Sequence, residues 1–325
     1  MKYTNLGRTG LKVSRIALGC MSYDLTGENW HLNEEGGKKF IKKALDFGIN
    51  FFDTANMYSL GESEIVLGKA IKEFSKREDV VIATKMFFPM SNKPNGSGLS
   101  RKAIMHEIDA SLRRLQTDYV DLYQIHRWDY ETPIEETLEA LHDIVKDGKV
   151  RYIGASSMFA WQFCKTLYLS DKHFYTRFVS MQPHYNLLNR EEEREMLPLC
   201  IEEGIGVIPW SPLARGRLAR PWQANSSSDR TSTDETAKNL YNRFEEADKK
   251  IVDQVGVIAT ARNISHAQVS LAWLLQQKAV TAPIIGATRI EHLEDAVASL
   301  NVHLNEEEII ALTKNYIPHT IVGYE

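Results

Sequence analysis

Short apolar runs alternate with longer amphipathic stretches along almost the whole chain. Eight runs rich in β-branched and aromatic residues have the length and composition of strands: RIALGC, INFFDT, VVIATK, YVDLYQIH, VRYIGAS, FVSMQ, IGVIPW and TAPIIGA. The stretches between them repeat apolar residues at helical spacing, near residues 34–48, 61–76, 100–116, 133–147, 158–170, 191–203, 243–262 (continued at 265–277) and 289–299. Residues 1–14 form two short alternating runs around a Gly-containing turn, which predicts an amino-terminal hairpin.

The alternation of strands and helices predicts a parallel sheet that is either closed into a barrel or open and doubly wound. A phosphate-binding G-x-G-x-x-G after a strand would favour the open sheet. None of the eight runs is followed by one, and GIGVIP has proline in the third glycine position. We therefore predict an α/β fold of the (β/α)8 TIM-barrel class with an N-terminal β-hairpin, forming a single domain over residues 1–325.

Several helix boundaries carry capping signals. Thr132, Asn305 and Ser59 each stand three residues before a glutamate at the start of an amphipathic stretch, which is the spacing of a capping box. Three glycines follow helical stretches at positions where they can end a helix: Gly48, Gly148 and Gly204.

Composition narrows the classes of function. A formal net charge of -4 provides no basic field for nucleic acid, and nowhere do about 18 apolar residues run together as a membrane helix requires. We expect a cytoplasmic protein without a metal site, and a homo-oligomer stays open. Residues 217–238 are polar and Ser/Thr-rich, which favours a lid or cofactor loop. Three dispersed cysteines are interpreted as reduced core thiols: Cys20, Cys164 and Cys200.

Polar residues stand where the predicted strands end, which is where active sites of α/β barrels lie. Asp53, Lys85 and His126 follow three successive strands, and Tyr58 comes in the loop after the first of them. Each has a structural alternative: Asp53 as a helix cap, Lys85 in an ion pair, His126 as a core residue and Tyr58 in loop packing. Further polar or aromatic residues end the next strands: Ser156, Ser157, Gln182, Trp210 and Ser211.

This set of residues suits proton transfer from a phenol. An adjacent ammonium favours the ionised phenol, so Lys85 would make Tyr58 a better acid, and Asp53 would hold Lys85 charged. His126 would orient a carbonyl oxygen. Protonating a carbonyl oxygen in this way suits its reduction, and the hydride must come from a cofactor. A lyase or aldolase that uses Lys85 as a Schiff-base amine is an alternative, although Asp53 argues against an uncharged lysine.

The sequence resembles the aldo-keto reductase family from about Leu6 to Leu304. The motifs that carry this resemblance are INFFDTANMYSLGESE, VVIATK, DYVDLYQIHRWD, VRYIGASS, SMQPHYNLLNREEE, GIGVIPWSPLARGRL and APIIGATRIEHLEDAV. The segment RWDYETPIEETLEALHDIVKDGKVRYIGASSM is most similar to aryl-alcohol-dehydrogenase-like members of the family found in bacteria and yeasts.

The resemblance implies a barrel that binds NADPH and reduces aldehydes or ketones, with Tyr58 as the general acid, Asp53 and Lys85 tuning it, and His126 positioning the substrate. It also implies a cofactor site built from Gly19, Cys20, Met21, Asp53, Ser156, Ser157, Gln182, Trp210, Ser211, Pro212, Leu213, Arg215, Gly216, Arg217, Gly286, Thr288, Arg289, His292 and Asp295. In this scheme Trp210 stacks under the nicotinamide ring and Arg289 contacts the 2'-phosphate. The substrate pocket would comprise Tyr58, Phe87, His126 and Trp128.

Some positions depart from the family pattern. Ser157 stands where many members have Asn, and Ala296 where Asn is common near the adenine. Aromatic residues in the predicted pocket loops favour an aryl or medium-sized carbonyl substrate, while a sugar or sugar phosphate stays open. A second class of function also stays open, because cofactor-binding regulatory subunits of the channel β-subunit type share this barrel and these residues.

Overall fold

The computed structural model of the chain describes residues 1–27, 31–223, 240–241, 244–321 and 324. Residues 224–238 of the predicted lid lie outside these. Strands β1 (Tyr3–Asn5) and β2 (Lys12–Ser14) pair antiparallel as the predicted hairpin. Eight parallel strands follow: β3 (Ala17–Gly19), β4 (Phe51–Asp53), β5 (Val81–Met86), β6 (Val120–Ile125), β7 (Val150–Ser156), β8 (Phe178–Gln182), β9 (Gly206–Val207) and β10 (Ile284–Gly286). They confirm the eight strands predicted from the sequence.

The parallel strands close into a barrel. Each of β3 to β8 pairs with the next strand along the chain, and β10 returns to pair with β3. The remaining seam joins β9 to the approach to β10. There the amide of Thr281 donates to the carbonyl oxygen of Val207 at 2.7 Å, and the amide of Ile284 donates to that of Pro209 at 3.0 Å. The predicted (β/α)8 barrel with its amino-terminal hairpin is therefore confirmed.

Helices surround the barrel: α1 (Glu34–Asp46), α2 (Glu62–Phe74), α3 (Arg101–Leu115), α4 (Ile134–Lys146), α5 (Ala160–His173), α6 (Met196–Glu203), α7 (Glu245–Arg262), α8 (His266–Leu275), α9 (Ile290–Ala298) and α10 (Glu306–Thr313). The bounds lie close to those predicted except for α6, which begins at 196 rather than 191, and α10, for which no stretch was predicted. Gly48, Gly148 and Gly204 follow α1, α4 and α6 with positive φ angles, as helix-terminating glycines do. Within the described residues, every helix is too short or too polar to cross a membrane.

Side chains alternate between two apolar layers along each strand. Leu18, Phe52 and Ile82 point outwards into the large core between barrel and helices. Their neighbours Ala17, Phe51 and Val81 belong to a smaller cluster inside the barrel, as the period of two in a strand requires. Continuing that inward register places Asp53 and Lys85 above the apolar plug at the carboxyl ends of the strands. The fold itself thus brings the polar strand ends together.

The hairpin covers the opposite, amino-terminal end of the barrel. Leu6 and Val13 join the apolar cluster inside the barrel, and the amide of Arg8 donates to the carbonyl oxygen of Gly204 at 2.7 Å. Gly7 has a φ of 56°, and a Cβ there would lie 2.5 Å from the same Gly204 oxygen. Only glycine allows so close an approach, so the hairpin is fitted to this end.

Of the capping predictions, that for Asn305 is confirmed and that for Thr132 is wrong, and one cysteine assignment is also wrong. Asn305 forms its predicted capping box, since its side chain accepts from the amide of Glu308 at 2.9 Å. Thr132 instead donates to Asp129 Oδ2 at 2.7 Å, which leaves α4 without a side-chain cap. Cys20 and Cys200 are buried, but Cys164 is exposed on α5 and is not a core thiol.

Candidate active site

Lys85 is fully buried at the end of β5 and joins two of the predicted site residues. Its ammonium donates to Asp53 Oδ1 at 2.6 Å, to the carbonyl oxygen of Thr54 at 2.7 Å and to the Tyr58 hydroxyl at 3.3 Å. The same nitrogen lies 4.8 Å from the centroid of the Tyr58 ring. The carboxylate of Asp53 and the phenol of Tyr58 therefore both contact the Lys85 ammonium at the barrel rim.

The environment keeps Lys85 charged. Burial alone lowers the pKa of this ammonium, but the charges of Asp53 and Tyr58 and its hydrogen bonds to both residues outweigh burial, so the pKa lies above its ordinary value. A buried ammonium that keeps its proton is a permanent donor to the phenol oxygen. It places a permanent positive charge beside that oxygen.

A strained turn carries Tyr58 back over the end of β4. Residues Tyr58–Gly61 form a short 3-10 turn in which Ser59 and Leu60 have φ angles of 47° and 50°. Such angles are uncommon outside glycine. The predicted capping pair of Ser59 and Glu62 does not form, because Gly61 caps α2 and Glu62 Oε2 accepts the amide of Leu25 at 2.9 Å.

His126 follows β6 and faces Tyr58 edge-on. The two ring centroids lie 5.8 Å apart at an interplanar angle of 81°. Burial, then the charges of Lys85 and Arg127, hold the pKa of His126 well below its ordinary value, so the imidazole is neutral. Its Nδ1 is buried and has no hydrogen-bond partner among the described residues. A buried polar atom in this state is suited to meet a ligand or water.

Asp53 also accepts hydrogen bonds from two glutamine side chains. Its Oδ2 accepts from Gln124 Nε2 at 3.1 Å and from Gln182 Nε2 at 2.9 Å. Gln124 was missed, although a glutamine inside the apolar strand VDLYQI is a visible signal. Gln182 was predicted to contact the cofactor, and its own amide nitrogen donates to Asp53 and to Gln124 Oε1, the latter at 3.3 Å. Both glutamines thus fix the carboxylate.

Trp210 is held as a half-buried flat surface beside this network. Its indole Nε1 donates to Ser157 Oγ at 3.0 Å, and Ser157 Oγ lies 3.2 Å from Ser156 Oγ. One face of the indole is covered by the His184 ring, with centroids 4.1 Å apart and planes 10° from parallel. His184 was not predicted, and it supports the aromatic residue expected under a nicotinamide.

The segment after Trp210 has a backbone suited to an anion. Four of its residues have positive φ angles: Ser211 (50°), Ala214 (48°), Arg215 (54°) and Gly216 (100°). Backbone turned this way forms concave nests of amides that bind phosphate-like groups. Leu213 and Arg217 are half-buried and Pro212 is buried in the same segment. This part of the predicted cofactor site therefore has a backbone and cations that suit a phosphate group.

Arg289 and His292 are basic residues at the start of α9. Burial lowers the pKa of His292, and the charges of Arg289 and Arg220 lower it further. Arg289 is 72% exposed and pairs with Glu291 at 3.5 Å. Gly286 is exposed at the end of β10 with open space around it, and Thr288 is half-buried. Arg220 was not predicted; its Nε donates to the carbonyl oxygen of Gly216 at 3.3 Å, and its charge acts on His292.

Two predicted cofactor residues are engaged elsewhere. Cys20 has a fully buried side chain in the outer core, its amide donates to the carbonyl oxygen of Asp53, and its own carbonyl oxygen accepts from Ser63 Oγ. The side chain and the backbone of Cys20 are therefore both engaged within the protein, and its predicted cofactor contact stays a prediction. Asp295 Oδ1 accepts from Gln268 Nε2 at 2.9 Å. The residues flanking Cys20 differ in exposure, with Gly19 buried and Met21 half-buried.

The aromatic residues of the predicted substrate pocket differ in how close they lie to His126. Phe88, rather than Phe87, lies against His126, at 5.0 Å between ring centroids. Phe87 packs behind it at 5.3 Å. Trp128 is buried and its ring contact is with Trp161 at 6.2 Å. Among the described residues, no group of three or more metal-ligating side chains is placed to hold an ion.

Comparisons with known proteins agree with this geometry. The profile described as "Aldo/keto reductase family" matches residues 15–317. Versiconal hemiacetal acetate reductase of Aspergillus parasiticus is 44% identical, over 99% of this chain and 98% of its own length.

Two yeast proteins named as candidate aryl-alcohol dehydrogenases support the predicted subgroup. The one from Schizosaccharomyces pombe is 42% identical, over 99% of this chain and 97% of its own length. The one from Saccharomyces cerevisiae is 41% identical, over 98% of each chain. The barrel, the strand-end residues and these similarities lead to one conclusion: the chain is an oxidoreductase that belongs to the aldo/keto reductase family.

Proposed function

We propose that this protein reduces aldehydes or ketones to alcohols with NADPH, and that aryl or medium-sized carbonyl compounds are its substrates. The observation that carries the proposal is the contact of a charged, buried Lys85 with the Tyr58 hydroxyl beside a neutral His126. This arrangement supports delivery of a proton to a carbonyl oxygen. The aromatic ring of Phe88 next to His126 favours a flat apolar substrate.

The cofactor assignment rests on three surfaces of this chain. Trp210 offers a flat indole for a nicotinamide ring, the segment from Ser211 to Arg217 offers turned backbone and cations for a pyrophosphate, and Arg289 stands near Arg220 and His292 for an additional phosphate. When bound, NADPH supplies the hydride that no side chain can supply. The basic cluster is the reason for proposing NADPH in preference to NADH.

Tyr58 acts as the acid in this scheme. Its hydroxyl proton goes to the carbonyl oxygen, and the phenolate left behind is stabilised by the Lys85 ammonium. Asp53 keeps that ammonium charged and aimed, held in turn by Gln124 and Gln182. The neutral imidazole of His126 donates a hydrogen bond to the carbonyl oxygen of the substrate without taking a charge. Because charge develops next to a preformed ammonium, little reorganisation is needed at the moment of reaction.

A Schiff-base role for Lys85 is disfavoured by the same contacts. An amine nucleophile must be uncharged. The Asp53 carboxylate and Tyr58 raise the pKa of Lys85 despite burial, so the attacking form is scarce at neutral pH.

Replacing Tyr58 by phenylalanine tests the proposal. We expect Tyr58→Phe to lower NADPH-dependent reduction of 4-nitrobenzaldehyde by about 10²- to 10⁴-fold, since a general acid contributes that much. Binding of NADPH, followed by quenching of tryptophan fluorescence, should stay within about twofold, because the hydroxyl lies at the carbonyl site. Tyr168→Phe, which removes a hydroxyl from an exposed side chain on α5, is the control. Wild-type turnover in Tyr58→Phe would refute the proposed acid.

A further inference from the structure

Arg127 is a half-buried cation beside the proposed acid that the proposed mechanism does not use. It follows His126 directly, and its Nη1 donates to the carbonyl oxygen of His126 at 2.7 Å. Its guanidinium carbon lies 5.4 Å from the centroid of the Phe88 ring. A guanidinium has five N–H donors, so one backbone contact leaves most of them free for another acceptor. Among the residues that the structure describes, none forms an ion pair with it.

The guanidinium belongs to the same group of side chains as the phenol. Phe88 links them, because its ring lies next to both Arg127 and His126, and His126 faces Tyr58. The charge of Arg127 also contributes, after burial, to the lowered pKa of both His126 and His184. Arg127 therefore belongs to the group of side chains around the proposed acid.

A half-buried cation without a counter-charge is unfavourable. Burial lowers the pKa of Arg127, which records this cost. An anionic substrate group would offset it, and a carboxylate matches the planar fork of a guanidinium with two parallel hydrogen bonds. The Phe88 ring under the guanidinium favours a flat molecule that extends from the carbonyl site towards the cation.

We propose that Arg127 is a specificity-determining residue that binds a carboxylate on the carbonyl substrate, so that carboxylated aryl aldehydes are preferred over neutral ones. This inference rests on the proposed function, because it places the substrate's reacting carbonyl at Tyr58. It adds an acidic substrate class to the general reduction of carbonyl compounds.

The test compares charged and neutral substrates of the same shape. NADPH oxidation is measured with 2-, 3- and 4-carboxybenzaldehyde and with their methyl esters, for the wild type and for Arg127→Met. In the wild type we expect kcat/KM for at least one acid to exceed that of its ester by about tenfold or more, as charge-assisted hydrogen bonds allow. In Arg127→Met this acid-to-ester ratio should fall to about one, mainly through KM, while the position of the preferred isomer reports the span from Tyr58 to Arg127.

Two further variants separate a binding role from a structural one. Arg127→Lys keeps the charge without the fork and should retain part of the ratio. Arg151→Met is the matched control, because Arg151 also donates to a backbone carbonyl, that of Gly148, and covers an aromatic ring, that of Tyr119, but lies at the amino end of β7. It should keep the wild-type ratio. If Arg127→Met does not fold, as judged by its melting temperature, Arg127→Lys carries the comparison.

The outcomes distinguish the two proposals. Turnover of the esters with equal acid-to-ester ratios in wild type and Arg127→Met overturns the role of Arg127 and leaves carbonyl reduction standing. If no aldehyde is turned over, the proposed function fails. Calorimetric binding of 4-carboxybenzaldehyde and its ester to the NADPH complex then decides on Arg127. A preference for the acid that is lost in Arg127→Met supports the inference, and equal binding refutes it.

Discussion

Asp53 accepts side-chain hydrogen bonds from three other strands of the barrel, through Lys85, Gln124 and Gln182. Replacing it by asparagine leaves the buried Lys85 ammonium without its anion, and burial then lowers the pKa of the lysine. We expect Asp53→Asn to reduce kcat/KM at neutral pH by about a hundredfold or more, with partial recovery as the pH falls and Lys85 regains its proton.

The pH profile of kcat/KM distinguishes this from a loss of structure, since a merely damaged site would lose activity equally at every pH. Asp109 lies half-exposed on α3 and forms an ion pair with Lys149. The control variant Asp109→Asn removes the charge of this carboxylate and should keep the wild-type pH profile. A wild-type profile in Asp53→Asn as well would show that Asp53 does not control the charge of Lys85.

At the scale of elements, Tyr324 near the end of the sequence contacts the 3-10 turn Glu191–Glu193, where its hydroxyl donates to Glu192 Oε1. Burial raises the pKa of Glu192 from 4.5 to about 7, with Tyr324 lowering it and Glu191 raising it further. A raised pKa means that the folded state binds the proton more tightly than the unfolded state. The resulting stability is complete below pH 4.5, is lost as the pH rises through about 7, and amounts to at most roughly 3 kcal/mol.

Glu192→Gln removes the titratable carboxyl group but keeps an oxygen that can accept from the Tyr324 hydroxyl. We expect the free energy of unfolding of the variant, relative to wild type, to rise by about 2 kcal/mol between pH 5 and pH 8, measured by urea denaturation. Glu195→Gln, at an exposed position nearby, should show no such change. A pH-independent difference between Glu192→Gln and wild type would show that Glu192 is ionised throughout.

At the scale of the whole molecule, the proposed cofactor spans the barrel from Trp210 to α9, so its binding should raise the melting temperature by linkage. Arg289→Ala should weaken NADPH binding by about tenfold and NADH binding by less than about twofold, because only NADPH carries the 2'-phosphate. Equilibrium titrations with both nucleotides measure this. Arg177→Ala, which breaks pairs with Asp171 and Glu203 ahead of β8, is the control. Equal losses for both nucleotides would place the 2'-phosphate elsewhere.

Much of the fold was predictable because it depends on repetition. Eight strand-like runs separated by helical patterns fix a parallel barrel, and the rule that its strand ends converge led to Asp53, Lys85 and His126 without coordinates. Their contacts follow from the inward register of β4 and β5.

The remainder depends on tertiary contacts that no local pattern encodes. Gln124 stands one inward position before His126, so a search of strand ends passes over it. The left-handed angles of Ser59 and Leu60 fall on residues that do not favour them. Gly154 illustrates the same limit, since a Cβ there would lie 2.3 Å from Ser180 Oγ, a crowding visible only in the closed barrel.

The seam of the barrel has a consequence for how the chain is made. β10, which pairs with β3, begins only at Ile284, whereas β3 begins at Ala17. During synthesis on the ribosome, seven strands must therefore wait with β3 and β9 as unpaired edges until nearly the whole polypeptide has emerged. Exposed edges of this kind pair readily with other chains. Late closure makes the nascent chain, rather than the finished barrel, the form most in need of chaperone protection.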